Sequence, residues 1–303
     1  MTNRDLEIFM AVAECGKMLA AAKNLYISQS SVSQAILAIE KEYGVLLFER
    51  LGHSLHLTQV GEELLAYART LKVTRNEMDS FLMSANGIRQ LRIGATVTVG
   101  TCVICPIIEP VKNRYHGIRL AVDVANTHLI EEKLLKNDID IGLVEGTITN
   151  NDIIFEEVIE DSLILICPRG HRFYGKEEVS IHDLRDENMI LREKGSGTRA
   201  LFENEMADAG APINVTWNCY NSEAIKNAVE AGNGVSVISY RLVEKELEDG
   251  HLWGCRIGEL DLKRYFSLAY HRNKFKTPEI EAFIQSCWKY QNDRNISKCL
   301  SKS

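Results

Sequence analysis

The chain has 303 residues and a formal net charge of −7, with 45% hydrophobic and 25% charged residues. That length allows two or three compact units, and the balance excludes a disordered or fibrous protein. The first twenty residues interleave Arg4, Asp5, Glu7, Glu14 and Lys17 with apolar positions, which breaks the apolar core a signal peptide needs. No later run is apolar for long enough to span a bilayer, so a cytoplasmic protein with no membrane partner is expected. Eight cysteines, at 15, 102, 105, 167, 219, 255, 287 and 299, read as small core hydrophobes in a reducing compartment. Acidity is uneven: residues 1–90 carry nine Lys and Arg against ten Asp and Glu, a net of −1, and the remainder holds a net of −6. Charge alone does not point to nucleic acid; any such case rests on pattern.

The pattern begins at once. Leu6, Phe9 and Ala13 stand at helical spacing over residues 4–15, and Gly16 follows as a stop. A short alanine-rich helix is predicted over 19–25. After the Tyr26-Ile27-Ser28 turn, Ser28 is placed to cap a third helix, in which Val32, Ile36 and Ile39 form the buried face. The opposite face carries Gln29, Ser30, Ser33 and Gln34, the layout of a helix-turn-helix. Val45-Leu46-Leu47-Phe48, then Gly52-His53-Ser54, then Leu55-His56-Leu57 predict two short strands around a glycine turn, a wing. Thr58 reads as the cap of a long helix with Glu62 and Glu63 near its positive end. Positions 64, 68, 71, 75, 78, 82 and 85 then step by four and three, a coiled-coil seam interrupted only by Arg75, which predicts pairing with a second copy.

Beyond Gly87 the rhythm changes. Runs near 91–95, 118–124 and 139–144, separated by helical stretches near 100–114 and 127–137, predict a βαβαβ unit with a parallel sheet. Further strands are predicted near 162–167, 188–191, 213–218, 235–238 and 262–271, and a last helix near 278–292. The domain plan is therefore a winged helix-turn-helix over 1–58, a linker and dimerisation helix over 59–87, and an α/β effector-binding domain over 88–303. That last domain has two lobes, the second covering roughly 162–267.

The residues Ala20-Ala21-Ala22, Ser28-Gln29-Ser30-Ser31-Val32-Ser33, Ile39-Glu40, Leu47-Phe48-Glu49-Arg50 and Leu57-Thr58-Gln59-Val60-Gly61 carry a close resemblance to the LysR-type transcriptional regulators. The resemblance extends over the whole chain and is most specific in residues 16–61. It implies homodimers or homotetramers on partly palindromic double-stranded DNA, often with autoregulation, and contact with RNA polymerase if the protein activates. Lys17-Met18 and His53 depart from the family pattern, the last where a wing arginine is frequent. Chemistry agrees with the family. Gln29 and Gln34 can pair with adenine edges, and Ser28, Ser30, Ser31 and Ser33 can donate to bases or phosphates. Arg50 and His53 on the wing are placed for phosphate or the minor groove. Because each domain offers few cations, specific binding should need several domains on one site, and an isolated 1–58 fragment should bind weakly.

Three segments share a glycine- or hydroxyl-rich turn feeding a helix: Gly94 to Gly100, Gly195-Ser196-Gly197-Thr198-Arg199, and Asn221-Ser222-Glu223. Helix starts expose unpaired N–H groups and attract anions, so a small anionic effector is expected at a cleft between lobes. The family resemblance implies an effector domain similar to type 2 periplasmic binding proteins. It points to Thr96 and Thr98 after the first strand, Asn126-Thr127, Gly146-Thr147 after the third, and Ser196 and Thr198. Arg199 and Arg192 are candidates to clamp a carboxylate. Each of these residues also has an ordinary capping or salt-bridging role open to it.

Other classes fit less well. Cys102 and Cys105 stand three apart at the start of a predicted helix, where the dipole would lower a thiol pKa, so a redox-sensing regulator is the alternative. Val103, Ile104 and Ile107 favour core packing there instead, and thiols on neighbouring turns are awkward for a disulfide. No second Cys or His pair has zinc-ligand spacing, so neither metal nor other cofactor is expected. Gly195-Ser196-Gly197 lacks the full nucleophile elbow, and Gly94 to Gly100 lacks a phosphate-loop lysine, so no enzyme is expected. A small-molecule receptor alone would leave the first 58 residues unexplained.

Overall fold

The computed structural model describes residues 1–51, 54–85 and 89–293. His53 lies outside these, as do the side chains of Arg50 and Ala85. The chain divides into two compact units, Met1–Met78 and Asp79–Ser303.

In the first unit, α1 (Asn3–Cys15) opens with a reciprocal cap between Thr2 and Asp5 and ends on Gly16 in the left-handed conformation. α2 (Met18–Asn24) packs through Ala21 and Ala22, whose small side chains let the helices approach. α3 (Gln29–Tyr43) buries Val32, Ile36 and Ile39, the expected face. β1 (Phe48–Leu51) and β2 (Ser54–Leu57) pair antiparallel as the wing. The first strand starts later than the apolar run suggests. Leu47 is buried in the core and Leu46 is exposed, and Thr58 Oγ1 donates to the Leu46 carbonyl at 2.7 Å, so this stretch connects α3 to the wing. Thr58 also accepts the Gly61 N–H at 3.0 Å, capping α4 (Gln59–Ala85). The predicted seam on α4 divides. Leu64 and Ala68 pack on the helix-turn-helix core, whereas Leu71, Met78 and Leu82 are more than half exposed.

In the second unit, β3 (Gln90–Thr96), β4 (Arg119–Ala125) and β5 (Ile141–Glu145) are parallel, with β3 in the middle. α5 (Val97–Cys102), α6 (Ile104–Arg114) and α7 (Thr127–Leu135) connect them. The sheet is mixed rather than wholly parallel, because β12 (Lys263–His271) joins antiparallel to β5 and to β6 (Ile153–Pro168). β6 is sixteen residues long and its first half was not legible as a strand. Charged residues such as Glu156, Glu157 and Glu160 break its apolar pattern. α11 (Pro278–Asp293) covers this lobe with Phe283 and Cys287 buried.

β6 continues into the second lobe, where its last residues pair with β10 (Ser236–Ser239) and with β11 (Leu252–Ile257). β11 also pairs with the two-residue β7 (Glu178–Val179). β8 (Asn188–Arg192) and β9 (Asn214–Cys219) form a parallel pair, tied to Val235, the residue just before β10, by its bridge to Met189. α8 (Gly197–Asp208), α9 (Ser222–Glu230) and α10 (Glu244–Glu248) complete the lobe. β6 and β12 are thus the two crossings between lobes, and Asp161 faces Arg264 in register on them. No described helix is long and apolar enough to cross a membrane.

Candidate functional site

Two polar surfaces stand out, one exposed and one buried. On the first unit, Ser28 caps α3 by accepting the Ser31 N–H at 3.1 Å, and its hydroxyl lies 2.8 Å from those of Ser30 and Ser31. Three hydroxyls therefore crowd the positive end of a fifteen-residue helix. Ser28, Gln29, Ser30, Ser31 and Gln34 are exposed and Ser33 is half-buried. Glu40 Oε1 accepts the Leu47 N–H at 2.8 Å, fixing the far half of α3 to the entry of the wing. Arg50 lies on β1 of that wing, and the position of its side chain is not described.

The buried surface lies where β3, β4 and β5 end and α5, α7 and α8 begin. Glu145, the last residue of β5, is held by its backbone: its N–H donates to Thr96 Oγ1 at 3.2 Å and its carbonyl accepts from Thr127 Oγ1 at 2.7 Å. Its carboxylate then reaches the second lobe. Oε1 accepts from Thr198 Oγ1 at 3.3 Å, and Oε2 is 3.3 Å from Arg264 Nη2. Arg264 is the centre of the array. Its Nη1 donates to Thr198 Oγ1 at 2.9 Å and its Nε donates to Asp161 at 2.7 Å. Burial disfavours the charged guanidinium, but Glu145 and Asp161 more than offset this and raise its pKa. Asp161 also accepts from Ser239 Oγ at 2.8 Å and lies 3.4 Å from Arg241 Nε.

Next to this network, backbone meets backbone. A Cβ on Gly146, which has φ +85°, would stand 2.7 Å from the Gly197 Cα, and one on Gly197 would stand 2.5 Å from the Glu145 carbonyl oxygen. Only glycine at both positions lets the lobes touch this way. Asn126 caps α7 through the Leu129 N–H at 3.0 Å, and its side-chain amide faces Gly195 across the same seam. Thr98 Oγ1 and Ser196 Oγ are buried and have no hydrogen-bond partner, as is Ser222 Oγ at the start of α9. Each such hydroxyl costs free energy unless something satisfies it.

The structure thus brings Thr96, Thr98, Asn126, Thr127, Gly146, Ser196 and Thr198 to the facing ends of the two lobes, while Thr147 is exposed. Arg199 and Arg192 are otherwise engaged. Arg192 donates twice to Glu193, at 2.8 and 2.9 Å, and Arg199 binds Glu203, Asn218 and the Arg192 carbonyl. The cation that reaches both Glu145 and Thr198 is Arg264. It comes from a strand more than 60 residues further along the chain than Arg199, and no local motif marks it.

The cysteine pair sits differently from the sequence expectation. Helix α5 ends at Cys102 and α6 starts at Ile104, so Cys102 lies at a helix C-terminus and only Cys105 lies in a first turn. Burial, with the nearby Asp161 carboxylate, pushes the Cys102 thiol up to about 11, the opposite of a reactive thiolate. Cys105 is exposed, Cys167, Cys219, Cys255 and Cys287 are buried, and all seven described cysteines are free thiols.

Residues 3–62 match the model of the bacterial regulatory helix-turn-helix of the LysR family, and residues 85–291 match the LysR substrate-binding domain. The chain belongs to the LysR family of transcriptional regulators. A RuBisCO operon transcriptional regulator of Allochromatium vinosum is 33% identical over 283 residues, covering 92% of this chain and 93% of the relative. Among solved structures, the regulatory domain of Synechocystis PCC6803 CcmR in complex with 2-PG is 26% identical with a TM-score of 0.63, covering 67% of this chain and 98% of that one. Full-length CbnR complexed with target DNA is 21% identical with a TM-score of 0.56, covering 96% of this chain and 100% of that one, and shows the shared fold. As a LysR-family member the chain is a regulator with an effector-binding domain rather than an enzyme.

Proposed function

We propose that this LysR-family regulator reads a specific double-stranded DNA sequence through the exposed face of α3 and its wing, under control of a small anionic effector held between the lobes. The observation that carries the effector half is the pair of buried, unpartnered hydroxyls, Thr98 Oγ1 and Ser196 Oγ, with the buried Arg264 bonded to Thr198, two residues from Ser196. An oxyanion would satisfy all three, with Asn126 and Thr198 at its edge. CcmR binds 2-PG in the same domain type, and that supports a small anion here. The DNA half is supported by five exposed side chains, Ser28, Gln29, Ser30, Ser31 and Gln34, at one helix end, and by the DNA complex of CbnR.

Self-association follows from α4. Leu71, Met78 and Leu82 form an exposed apolar row at coiled-coil spacing that a second copy would cover, giving a homodimer or a homotetramer. Two half-sites on one DNA also compensate for a helix-turn-helix unit with so few cations. Such a protein works in the cytoplasm, and contact with RNA polymerase applies if it activates. Closure of the lobes around an effector changes what the linker helices present only if the ligand binds one state better than the other.

Two measurements test the reading. Full-length protein should select a common sequence from random duplexes, with Gln29→Ala relaxing the selection; no enrichment would overturn the DNA half. Thermal unfolding against 2-PG, sulfate, phosphate and shikimate should give at least one stabilising anion whose effect vanishes in Ser196→Ala. At about a hundredfold over its dissociation constant the shift corresponds to about 2.7 kcal/mol. Stabilisation that survives Ser196→Ala would place the ligand elsewhere.

A further inference from the structure

Glu145 occupies the position on which the anion reading depends. Its carboxylate rises from the end of β5 in one lobe. It lies on Thr198 at the start of α8 in the other lobe and against Arg264 on the crossing strand. These are the donors that an incoming carboxylate or phosphate would seek. The Glu145 backbone is clamped by Thr96 and Thr127, and the Gly146–Gly197 contact presses the two lobes together at the next residue. Both Glu145 and Arg264 side chains are at most 5% exposed, so neither reaches bulk water.

The pairing is nevertheless incomplete. Glu145 Oε2 and Arg264 Nη2 are 3.3 Å apart without hydrogen-bond geometry, and each lacks any other hydrogen-bond partner. A strong guanidinium–carboxylate bond runs about 2.7–2.9 Å and is often two-pronged, as Arg264 achieves with neither acid. By contrast Arg92 grips Asp140 through two nitrogens at 2.6 and 3.2 Å in the same unit. The Glu145 contact is a tether that a better acceptor can replace.

We propose that Glu145 is an internal stand-in for the effector: its carboxylate holds Arg264 and Thr198 in the unliganded regulator, and an oxyanion binds by exchanging with it. This rests on the anionic-effector reading of the same cleft. The exchange sets specificity as well as regulation. The guest must carry full negative charge to displace a carboxylate, so a neutral isostere is rejected. Displacing Glu145 releases the side chain that, among the described residues, alone runs from the first lobe to both Thr198 and Arg264, freeing the seam to move. Apparent affinity is reduced by the fraction of time Arg264 is already occupied.

The test compares wild type with Glu145→Gln, which keeps the acceptor for Thr198 and removes the competing charge. Full-length protein is titrated with inorganic phosphate, sulfate, 2-PG and shikimate, read by tryptophan fluorescence and by thermal unfolding. Half-saturation should fall at least tenfold in Glu145→Gln. Glu145→Asp, one methylene shorter, should give a smaller gain of the same sign and serves if the glutamine variant does not fold. If wild type responds to an anion through Ser196 but the variants bind it equally or more weakly, the exchange is overturned and the effector reading stands. If neither wild type nor variants respond to any of the four anions, both fall together.

Discussion

The two polar surfaces use the same side chains in opposite ways. At the start of α3, serine and glutamine face water, three of the serines bond to one another, and the face awaits a partner that arrives from bulk solvent. Between the lobes, threonine and serine are buried, some are committed to the backbone of Glu145, and Thr98 and Ser196 have no partner. An exposed hydroxyl costs nothing when idle because water satisfies it, so its presence is weak evidence of function. A buried, idle hydroxyl is destabilising, and its persistence needs a reason. The cleft therefore argues for a ligand on energetic grounds, while the DNA surface argues on shape and family.

The largest effect should come from Arg264→Met. Glu145 would be left buried without a cation and Asp161 with only Arg241 at 3.4 Å, which should cost about 3–5 kcal/mol in urea unfolding. A loss below about 1 kcal/mol would mean that water enters the cleft and the network is not dry.

Asp140 gives a control outside the cleft. Burial opposes its charge, but hydrogen bonds from Arg92 and the charges of Lys274 and Arg92 lower its pKa below the ordinary 3.8. A depressed carboxylate stabilises the fold fully above 3.8 and loses that contribution as pH falls through its folded value. Asp140→Asn should therefore cost about 3 kcal/mol at pH 7 and progressively less in acid. It should leave anion binding unchanged; a lost response would couple this ion pair to the cleft.

Gln29→Ala and Gln34→Ala should each weaken specific DNA binding by about 1–3 kcal/mol if they read adenine edges, without moving the unfolding temperature. Equal loss on specific and random duplexes would make them positioning contacts instead. Thiol labelling discriminates further. Cys105, exposed, should react first, and Cys102 should stay slow until the pH nears its value of about 11. Fast labelling of Cys102 at pH 7 would revive redox sensing.

How much of this was legible in the sequence follows from distance along the chain. The helix-turn-helix is local: Gly16, Ser28 and the Val32, Ile36, Ile39 spacing lie within 24 residues, and the structure repeats them nearly residue for residue. The hydroxyl turns at Thr96, Asn126 and Ser196 were legible for the same reason, since helix starts announce themselves locally. The charges that organise the cleft were not. Glu145, Asp161 and Arg264 are brought together by two crossing strands. One of them, β6, has charged residues at Glu156, Glu157 and Glu160 that hide its strand pattern. Arg199 looked like the clamp because it adjoins the turn, yet Glu203 and Asn218 had already engaged it. Gly254, between Trp253 and Cys255, likewise obscured β11.

The most direct test is the smallest in energy. Thr98→Val removes a buried hydroxyl that has no partner and keeps the side chain's size. The unliganded protein should become more stable by up to about 1 kcal/mol, while stabilisation by the responding anion is lost. That pair of opposite signs, from one thermal titration with and without the anion, would establish a hydroxyl kept idle for a ligand. A variant that is less stable and still responds to the anion would contradict it, and would make Thr98 an ordinary structural threonine.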